Sequence, residues 1–305
     1  MRTLLALFFV VAAWGQDSFE DLFNRGYDHF RNQRYAEAEP LLRRAAQANL
    51  KDFNTLYLLG VTCQKLGQAE AALLAWRDAL AVQPANVRLM QVMSVEYSKS
   101  RYFAEGAEMA RRALESKQDD PNIYFLAIKA YQDAGDDPAA AKIAELAARR
   151  FPDSARANFE HAYHLQKQGK ITEAEAVLKK SMAADPRYEE PFFFYGNLLV
   201  NQERNDEAIP YLEKAVANRN DYVPARAVLA RALMNLKKWP EAIAALEQTI
   251  AMDPTHPQPH LLLSQIYFRL GDEAKARTEK QISLRLRREN PTILEAVQAR
   301  PFPVR

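Results

Sequence analysis

The chain repeats itself at a fixed step, the one that separates Phe19 from Phe53, and that period constrains its fold more than any other feature. From Phe19 to Asn290, eight frames of this one length follow one another without insertion, starting at Phe19, Phe53, Val87, Pro121, Ala155, Glu189, Val223 and Pro257. The eighth position holds Gly26, Gly60, Ser94, Ile128, Ala162, Gly196, Ala230 and Ser264, and seven of these eight are small. The twentieth holds Ala38, Ala72, Gly106, Ala140, Ala174, Ala208, Ala242 and Ala276. The twenty-seventh holds Ala45, Ala79, Ala113, Ala147, Ser181, Ala215, Thr249 and Ser283. Composition bias does not set three small columns in one register over this length. A period of this size marks an array of supersecondary units, each burying its apolar face against its neighbours.

Helices explain the columns. Ala, Leu, Glu, Gln, Lys and Arg are abundant, which favours helix, and only nine glycines occur in 305 residues. Two helices approach closely only where their side chains are small. The eighth and twentieth positions fit the contact between the two helices of one unit, and the twenty-seventh fits the contact with the next unit. Large apolar residues fill the space between. The eleventh position carries Tyr97, Tyr131, Leu165, Leu199, Leu233 and Tyr267, and the twenty-fourth carries Leu42, Trp76, Leu178, Leu212 and Leu246. Gly67, Gly135, Gly169 and Gly271 share the fifteenth position, where a helix C-cap needs a left-handed residue. Pro84, Pro152, Pro186 and Pro254 share the thirty-second, where proline stops the second helix. Each unit reads helix, turn, helix, turn, and the fold class is all-α.

A helix-turn-helix unit of about 34 residues with Leu59-Gly60, then Ala72 and Trp76, and a closing Pro84 resembles the tetratricopeptide repeat. The resemblance covers residues 19–290 and implies a right-handed superhelical solenoid of eight repeats. Some residues depart from the family pattern. Asn158, Arg226 and His260 stand where a large apolar residue is usual, Ile128 is large for its column, and Lys280 replaces an aromatic in the last unit. Those units are expected to pack less tightly, with the last one a degenerate capping repeat. Residues 291–299 read as one more short helix covering the end of the array, followed by a frayed tail.

The N-terminus is a different kind of sequence. After Arg2, the eleven residues from Leu4 to Trp14 carry no charge, and Ala13 and Gly15 place small residues before Gln16. This pattern predicts a signal peptide over residues 1–15, with cleavage before Gln16 and an exported product, periplasmic or extracellular. An uncleaved anchor is the alternative. Eleven apolar residues fall short of the roughly 20 that a bilayer span takes. Cys63 is the only cysteine, so the fold rests on packing rather than on an internal disulfide. Lys plus Arg total 41 against 39 for Asp plus Glu, a net charge of +2, which gives no reason to expect a nucleic-acid partner.

Catalytic candidates are weak. His161 and His164 are three apart on a predicted helix, but no Cys or second His pair shares their frame. Cys63 falls in the buried eleventh column and reads as a packed thiol. A phosphate loop and a nucleophile elbow are both missing. The expectation is a non-enzymatic protein with no cofactor and no metal.

The resemblance also implies which residues meet a ligand. In tetratricopeptide arrays the first helix of each unit lines a concave groove, with positions 2, 5, 9, 12 and 13 facing it. On that basis the expected groove residues are Tyr27, Tyr57, Lys65, Lys99, Phe125, Lys129, Phe159, Tyr163, Lys167, Phe193, Asn197 and Arg231, centred on Phe125, Phe159, Tyr163 and Phe193. The thirteenth position carries Arg31, Lys65, Lys99, Lys167 and Arg269, five basic residues among eight. A binding groove for an unidentified protein or peptide with acidic and aromatic groups is one reading. A carbohydrate or cell-wall polymer stacked on the aromatic strip is the other. The Lys-then-Asn pattern by which some family members hold a C-terminal carboxylate is absent, because the fifth position is aromatic four residues before Asn197. The basic stretch Lys275 to Arg288 reads as a solvated helix face, and membrane contact is not expected.

Overall fold

The computed structural model describes residues 17–116 and 119–289. The expected signal peptide and the C-terminal helix and tail lie outside the described residues. The described residues fall into two compact units that divide between Asp136 and Asp137. The first holds α1 (Phe19–Arg31), α2 (Tyr35–Ala48), α3 (Phe53–Lys65), α4 (Ala69–Val82), α5 (Val87–Lys99), α6 (Phe103–Glu115) and α7 (Pro121–Asp133). The second holds α8 (Asp137–Arg150), α9 (Ala155–Lys167), α10 (Ile171–Ala184), α11 (Glu189–Asn201), α12 (Asn205–Asn218), α13 (Val223–Asn235), α14 (Trp239–Met252), α15 (Pro257–Arg269) and α16 (Glu273–Glu289). All sixteen are α-helices, and no strand occurs among the described residues.

The odd-numbered helices each start at the first residue of a frame, and local chemistry explains why. Ser18, Asp52, Asn86, Asp120 and Ser154 each precede one, and each accepts a backbone N–H from its first turn, satisfying donors that the helix itself leaves open. At the far end of the helix the chain turns. The fifteenth position of every frame has positive φ, both at Gly67, Gly135, Gly169 and Gly271 and at Gln33, Arg101, Glu203 and Lys237. Only half of these turns carry the residue that suits them.

Within a pair, the small columns work by direct contact. A Cβ on Gly60 would lie 2.2 Å from Nε1 of Trp76, and one on Gly196 would lie 2.6 Å from Cγ of Leu212. The eighth position is thus small because the twenty-fourth fills its space. Where the eighth is serine, its hydroxyl donates to the backbone of the twentieth, from Ser94 to Gly106 O and from Ser264 to Ala276 O, both at 2.8 Å.

The twenty-seventh column also serves its own unit. Ser181 donates to Ala155 O at 2.6 Å and Ser283 to Pro257 O at 2.9 Å, so these residues bond back to the start of their own unit. The polar departures also find partners rather than loosening the packing. Asn158 is buried and donates to Pro152 O and Ser154 O, at 2.8 and 2.9 Å. Arg226 is buried and reaches both oxygens of Asn220. His260 meets Glu279 at 2.7 Å. Hydrogen-bonded in this way, a buried polar side chain avoids most of its desolvation cost.

Candidate functional site

In each unit the odd-numbered helices approach one another on one face. α1 meets α3 and α5 meets α7 in the first unit, while α11 meets α13 and α13 meets α15 in the second. The face that the first helices share is therefore the one on which side chains of successive repeats converge.

In the first unit this face is partly open. Phe19, Phe23 and Tyr27 stack along α1 with centroids 6.2 and 6.0 Å apart, and the Arg31 guanidinium lies 5.9 Å over the Tyr27 ring. Phe53 and Tyr57 repeat the pattern on α3 at 5.8 Å. Tyr27 is 43% exposed. Lys65 and Lys99 are exposed and without an ion pair among the described residues, whereas Lys129 pairs with Asp133. Phe125 departs from the expected strip. It is buried, because α7 packs against both α5 and α6.

In the second unit the expected centre is mostly closed. Phe159 and Phe193 are each 3% exposed. Phe159 meets Tyr188 and Phe194 edge-on, with centroids 5.6 and 5.0 Å away, and Phe193 meets Phe194 and Tyr222 at 5.4 and 5.0 Å. Tyr163 stays half-buried against Phe194. Lys167 sits 5.8 Å over the Tyr163 ring and is held by Asp137 at 2.7 Å. These phenylalanines offer no open ring to a sugar or a peptide, and they belong to the core.

Two other expected residues do come together. Asn197 is buried and accepts from Arg231 at 2.9 Å, and Asn201 accepts from the same guanidinium nitrogen at 3.3 Å. Arg231 is half-buried, its Nε is enclosed without an acceptor, and burial pulls its pKa down. It opens onto a cavity of about 1190 Å³ bounded by α13, α15 and α16 and by the turn into α14. Phe268, on its wall, is 69% exposed. Arg269 and Lys280 also line it. Lys280, which lines it, stands in the twenty-fourth column, where Leu42, Trp76, Leu178, Leu212 and Leu246 carry a large apolar side chain.

Two family profiles described as tetratricopeptide repeat match the chain, one over residues 23–87, 125–189, 159–223 and 227–281, the other over 199–249. The chain belongs to the tetratricopeptide repeat family. Among curated proteins it is similar to anaphase-promoting complex subunit 7 of Mus musculus, 22% identical over 229 residues, covering 75% of this chain and 34% of that protein. The chain thus spans about a third of the length of the curated relative it matches. Among solved structures, a chain of the APC/C hetero-tetramer Cut9-Hcn1 superposes with a TM-score of 0.58 at 15% identity, covering 94% of this chain and 57% of that one. MamA 41-end from Desulfovibrio magneticus RS-1 superposes with a TM-score of 0.50 at 20% identity, over 56% of this chain and 97% of that one. These likenesses establish the tetratricopeptide fold.

Burial shifts several titratable groups of this family member. His164 is 2% exposed, and burial, helped by Lys167, pulls its pKa down to about 4. Burial lowers His161 and His256 in the same direction and raises the buried Cys63 thiol. Among the described residues, no group of three or more His, Cys, Asp or Glu side chains stands where it could hold a metal ion. None of the described helices is long and apolar enough to cross a membrane.

Proposed function

We propose that this tetratricopeptide repeat protein is a non-enzymatic interaction scaffold that receives a partner protein or peptide on its first-helix face. The observation that carries this reading is the cavity beside Arg231, where side chains from successive first helices converge on a concave, half-apolar surface. Concave surfaces with a few placed polar groups are where ligands bind. Membership of a family of stacked helical repeats supports it, because such arrays present extended surfaces to partners. So do the relatives, one named as a subunit of a complex and one solved within a hetero-tetramer. The proposed setting is outside the cytoplasm, on the strength of the apolar run Leu4 to Trp14 and the small residues before Gln16.

Photo-crosslinking amino acids placed in the cell at exposed first-helix positions, such as Lys65, Lys99 and Gln265, test the reading against controls on second helices, such as Arg77 and Lys214. The same partner captured from the first-helix positions and not from the controls is the expected result. Capture from the second helices alone would sink it. Intact-mass analysis of exported material tests the setting, with loss of residues 1–15 expected.

A further inference from the structure

We propose that the cavity bounded by α13, α15 and α16 is a seat for an acidic, extended segment of a partner protein, with Arg231 receiving a carboxylate and Phe268 covering an apolar side chain. The proposal rests on the scaffold reading above.

Arg231 is the central observation. Its guanidinium is half-buried, yet its acceptors are the neutral side chains of Asn197 and Asn201, and its Nε has none. A buried charge is costly unless it is paired and hydrogen-bonded. An arginine fork fits a carboxylate with two parallel bonds, and such charge-assisted bonds are the strong ones. Nη2 holds both asparagines, and Nη1, which bonds neither of them, is left to donate to a carboxylate from the cavity.

The charge around it points the same way. Lys237, Arg269 and Lys280 line the cavity and are exposed. Among the described residues none of the three is in an ion pair. Glu273 is the one carboxylate of the lining, and Arg277 already holds it at 2.9 Å. The cavity thus presents unbalanced positive charge, although the whole chain carries only +2. Its other walls suit a polypeptide rather than a polyanion. Phe268 is 69% exposed beside half-buried Trp239, and an aromatic surface this bare is costly to leave in water. Asn235 and Gln265 stand exposed on the same wall. Each carboxamide offers both a donor and an acceptor, which is what a peptide backbone needs.

Fluorescence anisotropy on the full chain tests this with a short synthetic peptide alternating Asp and Phe, and with its counterpart carrying Asn for Asp. The Asp peptide should bind about tenfold or more tightly than the Asn peptide, as expected for one charge-assisted contact. Arg231→Gln should abolish that preference. Arg269→Gln and Lys280→Gln, at exposed unpaired positions that the fold does not need, should each reduce it severalfold. Phe268→Ala should weaken both peptides alike. Equal affinity for the two peptides, or a preference untouched by all three charge removals, would overturn the seat. So would Asp-peptide binding that appears only after residues 290–305 are deleted, because the chain's own end would then be the occupant. Sedimentation showing a dimer that Phe268→Ser dissolves would assign the cavity to a second copy, and equal binding of a single-stranded oligonucleotide would assign it to polyanions at large. Both outcomes reject the proposal. If Arg231→Gln loses the peptide preference but the partner still crosslinks at Lys65 and Lys99, the seat stands for the model peptide but is not what holds that partner, and the scaffold reading is intact. If no first-helix position crosslinks while the Asp preference remains, the scaffold reading fails and the seat stands.

Discussion

Phe23 and Tyr57 in the first unit and Phe159 and Phe193 in the second use the fifth position of their first helices in opposite ways, while Phe125 of the first unit is buried like the second pair. In residues 17–136, Phe23 and Tyr57 join ladders that run along their own helices, ring stacked on ring, with Tyr27 left 43% exposed. In residues 137–289, Phe159 and Phe193 are closed in edge-on by rings from elsewhere. The difference begins at the residue before the next first helix. That position is Asp52, Asn86 or Asp120 in the first unit, and each caps its helix through its side chain. In the second unit Ser154 and His256 still cap α9 and α15, but Tyr188 before α11 and Tyr222 before α13 make no side-chain cap bond. Their rings lie instead over the phenylalanine of the preceding repeat. A cap contributes about 1 kcal/mol. A buried ring contributes roughly 2–3 kcal/mol, with about 1 kcal/mol more from aromatic pairing. Burying the ring therefore outweighs keeping the cap, so two caps are replaced by core, and an open aromatic face becomes a closed one.

The largest expected effects break this comparison directly. Phe193→Ala should destabilise the protein by about 3–5 kcal/mol, as truncating a buried ring does. Tyr27→Ala should cost less than about 1 kcal/mol, since its ring is nearly half exposed. Tyr222→Asp, which restores a cap and removes a ring, should lose about 2 kcal/mol net. Urea unfolding followed by circular dichroism measures all three. Equal losses at Phe193 and Tyr27 would mean that the two faces do not differ as described.

Acidity should separate the units next. His164 has a native pKa of about 4 against an ordinary 6.5, so the folded protein holds it neutral. Below 6.5 the unfolded chain takes up a proton that the native chain refuses. The stabilisation is full above 6.5 and falls away as pH drops toward 4, by up to about 3 kcal/mol. His161 and His256, lowered in the same sense, add to the loss. All three lie in the second unit. Hydrogen exchange near pH 5 should therefore loosen peptides from 137–289 before those from 17–116, and His164→Gln should flatten the pH dependence. Uniform loosening would reject this assignment.

The scaffold was legible in the sequence because its causes are local and repeated. Gly60 faces Trp76 and Gly196 faces Leu212 in the same register, so the period alone exposes the contact. The Asn197–Arg231 pair was also within reach, as both sit at the ninth position of adjacent frames. The closure of Phe159 and Phe193 was harder to see. A ring at the fifth position looks the same whether or not another covers it, and the covering tyrosine stands most of a frame further on, in a column otherwise filled by caps. Tyrosine at Tyr188 and Tyr222 in that column was the available signal. The cavity beside Arg231 depends on which cations lack partners, and the sequence does not show whether an exposed cation is paired.

The smallest effects concern what the units share. The eight turns at the fifteenth position all hold positive φ, between 59° and 81°, in both units alike. A side-chain-bearing residue pays roughly 1–2 kcal/mol in this region, which glycine avoids. Arg101→Gly in the first unit and Lys237→Gly in the second should each stabilise the protein by about 0.5–1 kcal/mol, the gain being trimmed by the extra freedom glycine gives the unfolded chain. Gly67→Ala and Gly169→Ala should cost about 1 kcal/mol. An added Cβ at either glycine meets nothing within 4 Å, so that cost is conformational alone and should be the same in both units. Thermal unfolding measures each change. Matching shifts at Arg101 and Lys237 would show one turn geometry serving two different faces. A shift in one unit only would mean that the closed aromatic core of the second unit strains its turns, and the two regions would then differ in scaffold as well as in surface.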